Sequence, residues 1–179
     1  MFKYVSDVSI LAHNIINEYV ENKNVAVDAT LGNGYDCDFL SSCFKKVYAF
    51  EIQKEACEKY IDKNNNVIII NESHHKIDEF VNEEINCICY NLGYLPGGNK
   101  EITTLAETSL KSIQLSLNLL SSNGIMAIAI YRGHNEGKEE ESCILQYLRN
   151  LPKNKFGVML HECINRSDKS PLLVIVEKK

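Results

Sequence analysis

Val25-Ala-Val-Asp28-Ala-Thr30-Leu-Gly32-Asn-Gly34 decides how the chain folds. A short apolar, β-branched run ends on a carboxylate, a glycine-bearing turn follows, and residues 35–44 suit a helix. Strand, tight turn and helix start come in the order that a nucleotide-like ligand site requires. Gly32 and Gly34 have no Cβ to keep a ligand away from the backbone. The helix behind them aims its free N–H groups into the same crevice. Glycines after a strand also make ordinary turns, so the remainder of the chain has to decide between the two.

On the N-terminal side, Ser6 or Asp7 can cap a helix running to about Glu21. Val8, Leu11, Ala12, Ile15, Ile16 and Tyr19 form its apolar stripe at helical spacing. On the C-terminal side, strands are predicted over 25–30, 47–52, 67–70, 85–92, 125–131, 155–164 and 172–177. Helices are predicted over 35–44, 54–63, 77–84, from Thr103 or Thr104 to Leu120, and over 137–150. The strands are near-continuous apolar runs alternating with helices, the pattern of a parallel sheet covered on both faces. Only the last two strands lack a helix between them, so an antiparallel pair is expected there. The reading is one doubly wound α/β domain over residues 1–179.

The composition narrows the function classes. A hydrophobic fraction of 45% and a charged fraction of 24% are ordinary for a globular chain. No apolar run approaches the roughly 18–20 residues of a membrane span, and the first residues do not follow a signal-peptide pattern. Seven cysteines without a C-x-x-C pair fit neither a disulfide framework nor a zinc site. Cys87 and Cys89 share one side of a strand and read as packed thiols. A reducing cytoplasm is the expected setting. The formal net charge of -5 argues against a surface built wholly on phosphate contacts. It leaves room for a local patch of Lys100, Arg132, Arg166 and Lys169.

Ligands of such sheets bind beyond the carboxyl ends of the strands. The first strand delivers Asp28 there. The second delivers Glu51 and Gln53, about twenty residues past the glycines, where a carboxylate can take both hydroxyls of a ribose. The third delivers Asn71, Ser73, His74 and His75, the fourth Asn91 and Tyr94, and the fifth Tyr131, Gly133 and His134. A dinucleotide fingerprint needs a third glycine where Cys37 stands. Asp28 would also repel a pyrophosphate, whereas a nucleoside carrying a sulfonium and an amino group, S-adenosylmethionine (SAM), suits it. Asn91-Leu-Gly-Tyr94 suits methyl transfer to an amine: the carboxamide can aim the nitrogen lone pair and the ring can stack on a planar base. His134 is a candidate proton acceptor. His74 and His75 find no third ligand, so no metal is expected.

Three stretches carry a family resemblance: Asp28-Ala-Thr-Leu-Gly-Asn-Gly-Tyr-Asp36, Tyr90-Asn-Leu-Gly-Tyr-Leu-Pro-Gly-Gly-Asn-Lys100 and Tyr131-Arg-Gly-His134. Together they resemble the YtqB-like class I methyltransferases, a family labelled rRNA methylase and associated with the MnmM activity on tRNA. The resemblance implies a Rossmann-like, seven-stranded, mostly parallel sheet whose last strand is antiparallel, with SAM as cofactor and no metal. It also implies methylation of the 5-aminomethyl group of wobble 2-thiouridine, with the tRNA anticodon stem-loop as partner; a homodimer stays open. Carried over, Asp28, Thr30, Gly32, Asn33, Gly34 and Asp36 surround the methionine end of the cofactor. Glu51 and Gln53 hold the ribose, Ser73 and His74 the adenine side, and Asn91 and Gly93 the transferred methyl. Asn91, Tyr94 and His134 are the catalytic candidates. Tyr94, Leu95, Pro96, Gly97, Gly98, Lys100, Arg132, Arg166 and Lys169 are the substrate candidates. The chain departs from the family pattern at Cys37, Asn99 and Ser170, where Thr, Asp and Pro are usual. Methylation of rRNA or of a small-molecule amine, and a non-catalytic RNA-binding module, are the alternatives.

Overall fold

The computed structural model describes residues 2, 4–5, 7–95, 97–98 and 102–179. Helix α1 (Val8–Tyr19) leads into β1 (Val25–Asp28), α2 (Tyr35–Cys43), β2 (Lys46–Phe50), α3 (Lys54–Tyr60) and β3 (Val67–Ile70). A 3-10 turn (His74–Lys76) and the short α4 (Ile77–Phe80) precede β4 (Ile85–Leu92). Then come α5 (Ala106–Leu119), β5 (Leu120–Ile130), α6 (Asn135–Arg149), β6 (Phe156–His161) and β7 (Leu172–Lys178).

The seven strands form one sheet in the order β3-β2-β1-β4-β5-β7-β6. Strands β1 to β5 run parallel, and β7 lies antiparallel between β5 and β6. The chain winds outward from β1 to β3, then crosses back to lay β4 on the other side of β1. Strand order therefore reverses between β1 and β4, where an open α/β sheet leaves its crevice. In register, Asp28 stands beside Ala49 of β2 and Cys89 of β4, so three carboxyl ends open at one level.

Side chains alternate across the sheet into two cores. Val25, Val27, Phe50, Ile88 and Tyr90 face α5 and α6. Ala26, Ala49, Cys87, Cys89 and Ala127 face the other way, onto Ala12 and Ile16 of α1 and Leu40 of α2. Small residues on that face let α1 and α2 sit close to the strands. Cys87 and Cys89 are buried free thiols on one face, as their spacing predicts. Each fully buried large side chain contributes roughly 1.5–3 kcal/mol; Tyr90 is among them, its hydroxyl meeting Ser112 and Ser116 at 2.8 Å each.

The boundaries differ from the sequence expectation for local reasons. The first strand stops at Asp28 because Asp28 Oδ1 accepts the Thr30 N–H at 3.0 Å and turns the chain. Helix α1 ends at Tyr19, capped by Asp7 with Ser9 N–H at 2.8 Å from its Oδ1; Ser6 lies outside the described residues. Tyr19, assigned to the apolar stripe, is 66% exposed, because Ala12 and Ile16 are the residues that meet the sheet. Thr103 and Thr104 do not cap α5, whose N-cap is Leu105 with no side-chain bond. Thr104 instead donates its hydroxyl to the buried Glu140 at 2.7 Å, and its N–H to Gly93 at 3.1 Å.

Candidate active site

Asp28 is fully buried at the end of β1, and its Oδ2 meets no hydrogen-bond partner among the described residues. Burial, and next the neighbouring Asp36 carboxylate, push its pKa well above the usual carboxylate range. Glu51 stands nearby past β2, its carboxylate accepting Gly32 N–H and Gln53 N–H at 2.9 Å each. That pair of bonds fixes the glycine turn against the end of the second strand. Gly34, with φ +82°, caps α2, and a Cβ there would sit 2.3 Å from the Tyr60 ring. Only glycine satisfies both the left-handed backbone and the close ring.

A cleft of about 350 Å³ opens beside this turn. Gly32, Asn33, Gln53, Leu95, Gly97 and Gly98 line it, all singled out by the sequence. Its far wall is α3, through Ala56, Lys59 and Tyr60, and the turn after it, through Lys63. That wall has no sequence signal beyond that of an ordinary amphipathic helix. Tyr60 and Lys63 are held there by Asp38, at 2.7 and 2.6 Å. Pro96 and Lys100 lie outside the described residues, as does Asn99.

Asn91, at the end of β4, donates its backbone N–H to Thr30 Oγ1 at 2.7 Å and its carboxamide N–H to Asp36 Oδ2. Its Oδ1 accepts Ser9 Oγ–H at 3.3 Å. Asp36 Oδ1 in turn lies 2.7 Å from His13 Nε2. Ser9 and His13, from the first helix, thus join the candidate site, unforeseen from sequence. Their only signal is the i, i+4 spacing that puts both on one helix face. Tyr94 forms an antiparallel bridge with Thr103, and its ring meets His134 edge-on, centroids 5.6 Å apart. His134 Nε2 lies 3.2 Å from Thr103 Oγ1, so Thr103, Tyr94 and His134 make one cluster.

Three of the expected site residues already make contacts within the fold. His74 is buried: its Nδ1–H donates to Ala29 O at 3.0 Å, its Nε2 meets no partner among the described residues, and burial pulls its pKa to about 4. Ser73 Oγ is taken by His75 Nδ1 at 2.8 Å. Arg132, expected on a basic patch, is 9% exposed and fully engaged. Its Nε donates to Ser170 O at 2.8 Å, while its two terminal nitrogens meet Glu141 and Glu162. Two carboxylates neutralise that guanidinium, so it adds no net positive charge for a phosphate. Arg166 and Lys169 are exposed in the loop between β6 and β7. Among the described residues no cluster of metal-ligating side chains forms, and no helix is long and apolar enough to cross a membrane.

The donor set defines what fits. Asp28, Asp36 and Glu51 crowd three carboxylates about the glycine turn, with one buried oxygen unpartnered. Such a site takes cations and hydroxyl donors and repels a pyrophosphate. SAM carries an ammonium, a sulfonium and two ribose hydroxyls, and fits. When bound it supplies an electrophilic methyl. Asp28 and Asp36 would hold its cationic end, and Glu51 its ribose hydroxyls.

Comparison with known proteins agrees. The family model described as "Putative rRNA methylase" matches residues 47–177. A crystal structure from Clostridium thermocellum with the same description is 32% identical, covers 98% of this chain and 99% of its own, and superposes with a TM-score of 0.92. A Streptococcus mutans protein solved in complex with S-adenosylhomocysteine (SAH) is 34% identical over 98% of this chain and 99% of its own, with a TM-score of 0.88. An Arabidopsis thaliana chloroplastic tRNA (mnm(5)s(2)U34)-methyltransferase is 29% identical over 94% of this chain and 68% of its own length. The chain belongs to this rRNA methylase family, the YtqB-like class I methyltransferases, and is a SAM-dependent methyltransferase.

Proposed function

We propose that the protein methylates the exocyclic aminomethyl nitrogen of wobble 2-thiouridine in tRNA. The observation that carries this reading is the similarity to the Arabidopsis tRNA (mnm(5)s(2)U34)-methyltransferase across 94% of the chain. The chemistry of the site supports it. A primary aliphatic amine, with a solution pKa near 10.4, arrives as an ammonium, and the carboxylate-rich crevice attracts it. Asn91 Oδ1 accepts one bond from Ser9, and an amide oxygen has a second lone pair with which to hold an amine N–H. Tyr94, braced by Thr103 and His134, offers a ring for the base to stack on. Transfer is an in-line displacement, so most of the rate comes from aligning nitrogen with methyl.

The test is nucleoside mass analysis of tRNA bearing 5-aminomethyl-2-thiouridine after incubation with protein and labelled SAM. One methyl on the side-chain nitrogen is expected. Label on a ring atom, or on rRNA alone, overturns the reading. The net charge of -5 and the engagement of Arg132 favour a small-molecule amine as the second reading, which the same assay with free primary amines addresses.

A further inference from the structure

Asp36 is gripped from two sides by residues distant in sequence. His13 of α1 meets Oδ1 at 2.7 Å, and the Asn91 carboxamide of β4 meets Oδ2. The His13 ring is stacked on Phe39, centroids 3.9 Å apart and planes 11° from parallel, so its edge cannot swing away from the carboxylate. Ser9, one turn before His13, holds the other end of the Asn91 carboxamide. A helix needed only to cover the sheet would require Ala12 and Ile16; Ser9 and His13 add a polar edge directed at the strand ends. An imidazole on one oxygen and a carboxamide on the other fix the plane of the carboxylate and leave each oxygen a further lone pair.

We infer that Asp36 is the proton acceptor for the methyl-accepting amine, and that His13 is its positioning residue. This rests on the proposal above only in so far as the acceptor is a primary amine. The ammonium gives one proton to Asp36, which becomes a neutral carboxyl. The N–H bonding pair stays on nitrogen and forms the new N–C bond. The methyl–sulfur pair returns to sulfur, which leaves neutral, and the carboxyl afterwards releases its proton to water. Asp28 is less suited, since it is wholly buried while Asp36 touches the Asn91 carboxamide that receives the amine. The titratable groups around Asp36 are His13 on α1, Asp28 at the end of β1, Cys89 on β4 and Tyr131 after β5.

The experiment compares Asp36→Asn, His13→Gln and His13→Leu with the wild type on the aminomethyl tRNA and on a small primary amine. SAM affinity is measured separately by calorimetry. At saturating SAM, where any weaker cofactor binding is made up, Asp36→Asn should lower kcat by roughly 10²–10⁴-fold near pH 7. Its rate should then climb about tenfold per pH unit toward pH 9, because the free amine fraction does so, while the wild type stays flatter. His13→Gln keeps an N–H for Asp36 and should remain within a few-fold of wild type; His13→Leu should fall toward Asp36→Asn. Parallel pH profiles, a deficit wholly explained by lost SAM affinity, or a His13→Leu variant at wild-type rate overturns the assignment. Wild-type protein inert on the tRNA but active on the small amine, with these variant effects intact, sinks the tRNA reading alone. Inertness toward every amine sinks both.

Discussion

Arg132 Nε donates to the carbonyl of Ser170 at 2.8 Å, tying the turn after β5 to the end of the β6–β7 loop. The same guanidinium reaches Glu141 of α6 and Glu162 beyond β6, so one side chain joins three segments at the sheet's ligand edge. Its role is architectural, and it carries the loop that presents Arg166 and Lys169.

Arg132→Ala should therefore destabilise the fold by about 1–3 kcal/mol, below the cost of breaking a fully buried pair because Glu162 is 38% exposed. Urea denaturation measures this. A midpoint equal to wild type would mean that the three contacts contribute nothing to the folded state.

Asp28→Asn should separate stability from binding. Burial raises the Asp28 pKa in the fold, so ionising it at neutral pH costs stability: its favourable contribution is full below the unfolded value and is lost as pH rises. The Asn variant should melt higher than wild type without ligand at pH 7. SAH should raise the melting temperature of the wild type by preferential binding to the folded state, and that of the variant little. Equal SAH shifts in the two proteins would remove Asp28 from the cofactor site.

His74 predicts the opposite slope. Its pKa falls from 6.5 to about 4 because the buried ring resists charging. Its contribution is full above the unfolded value and is lost as pH drops from 6.5 toward 4, by up to about 1.4 kcal/mol per pH unit. Urea midpoints of wild type and His74→Gln at pH 7 and pH 5 test this. The wild type should lose more between them, and a parallel loss would mean that another group governs the acid limb.

Reversing Arg166 and Lys169 to Glu should weaken tRNA binding and flatten its salt dependence, by roughly one unit of slope per lost phosphate contact at most. SAH binding should be unchanged, since both residues are exposed in the β6–β7 loop and outside the glycine turn. Unchanged tRNA affinity and slope would place the RNA elsewhere on the surface.

Much of this protein is legible locally. Strand β4 falls on Ile85–Leu92 as predicted, because eight successive residues are apolar or strand-compatible and a glycine turn ends them. The glycines, Asp28 and Glu51 are readable because a strand end, its turn and the next strand end are separated by short, nearly fixed lengths of chain. The antiparallel final pair follows from the missing crossover helix.

The sequence by itself determined the winding of the sheet, the turn that opens its crevice and the acidic residues at the strand ends, all set by spacing within some twenty residues. Only the tertiary structure decided that His13 closes on Asp36 and Ser9 on Asn91, 23 and 82 residues away. It alone turned Arg132 from a surface cation into a clamp on Glu162, 30 residues on, and tied the His74 ring to the Ala29 carbonyl, 45 residues back. Helical periodicity states which residues share a face, not which surface that face will meet. That meeting is set by how small residues on the strands let α1 approach, a property of the packed core rather than of any local stretch.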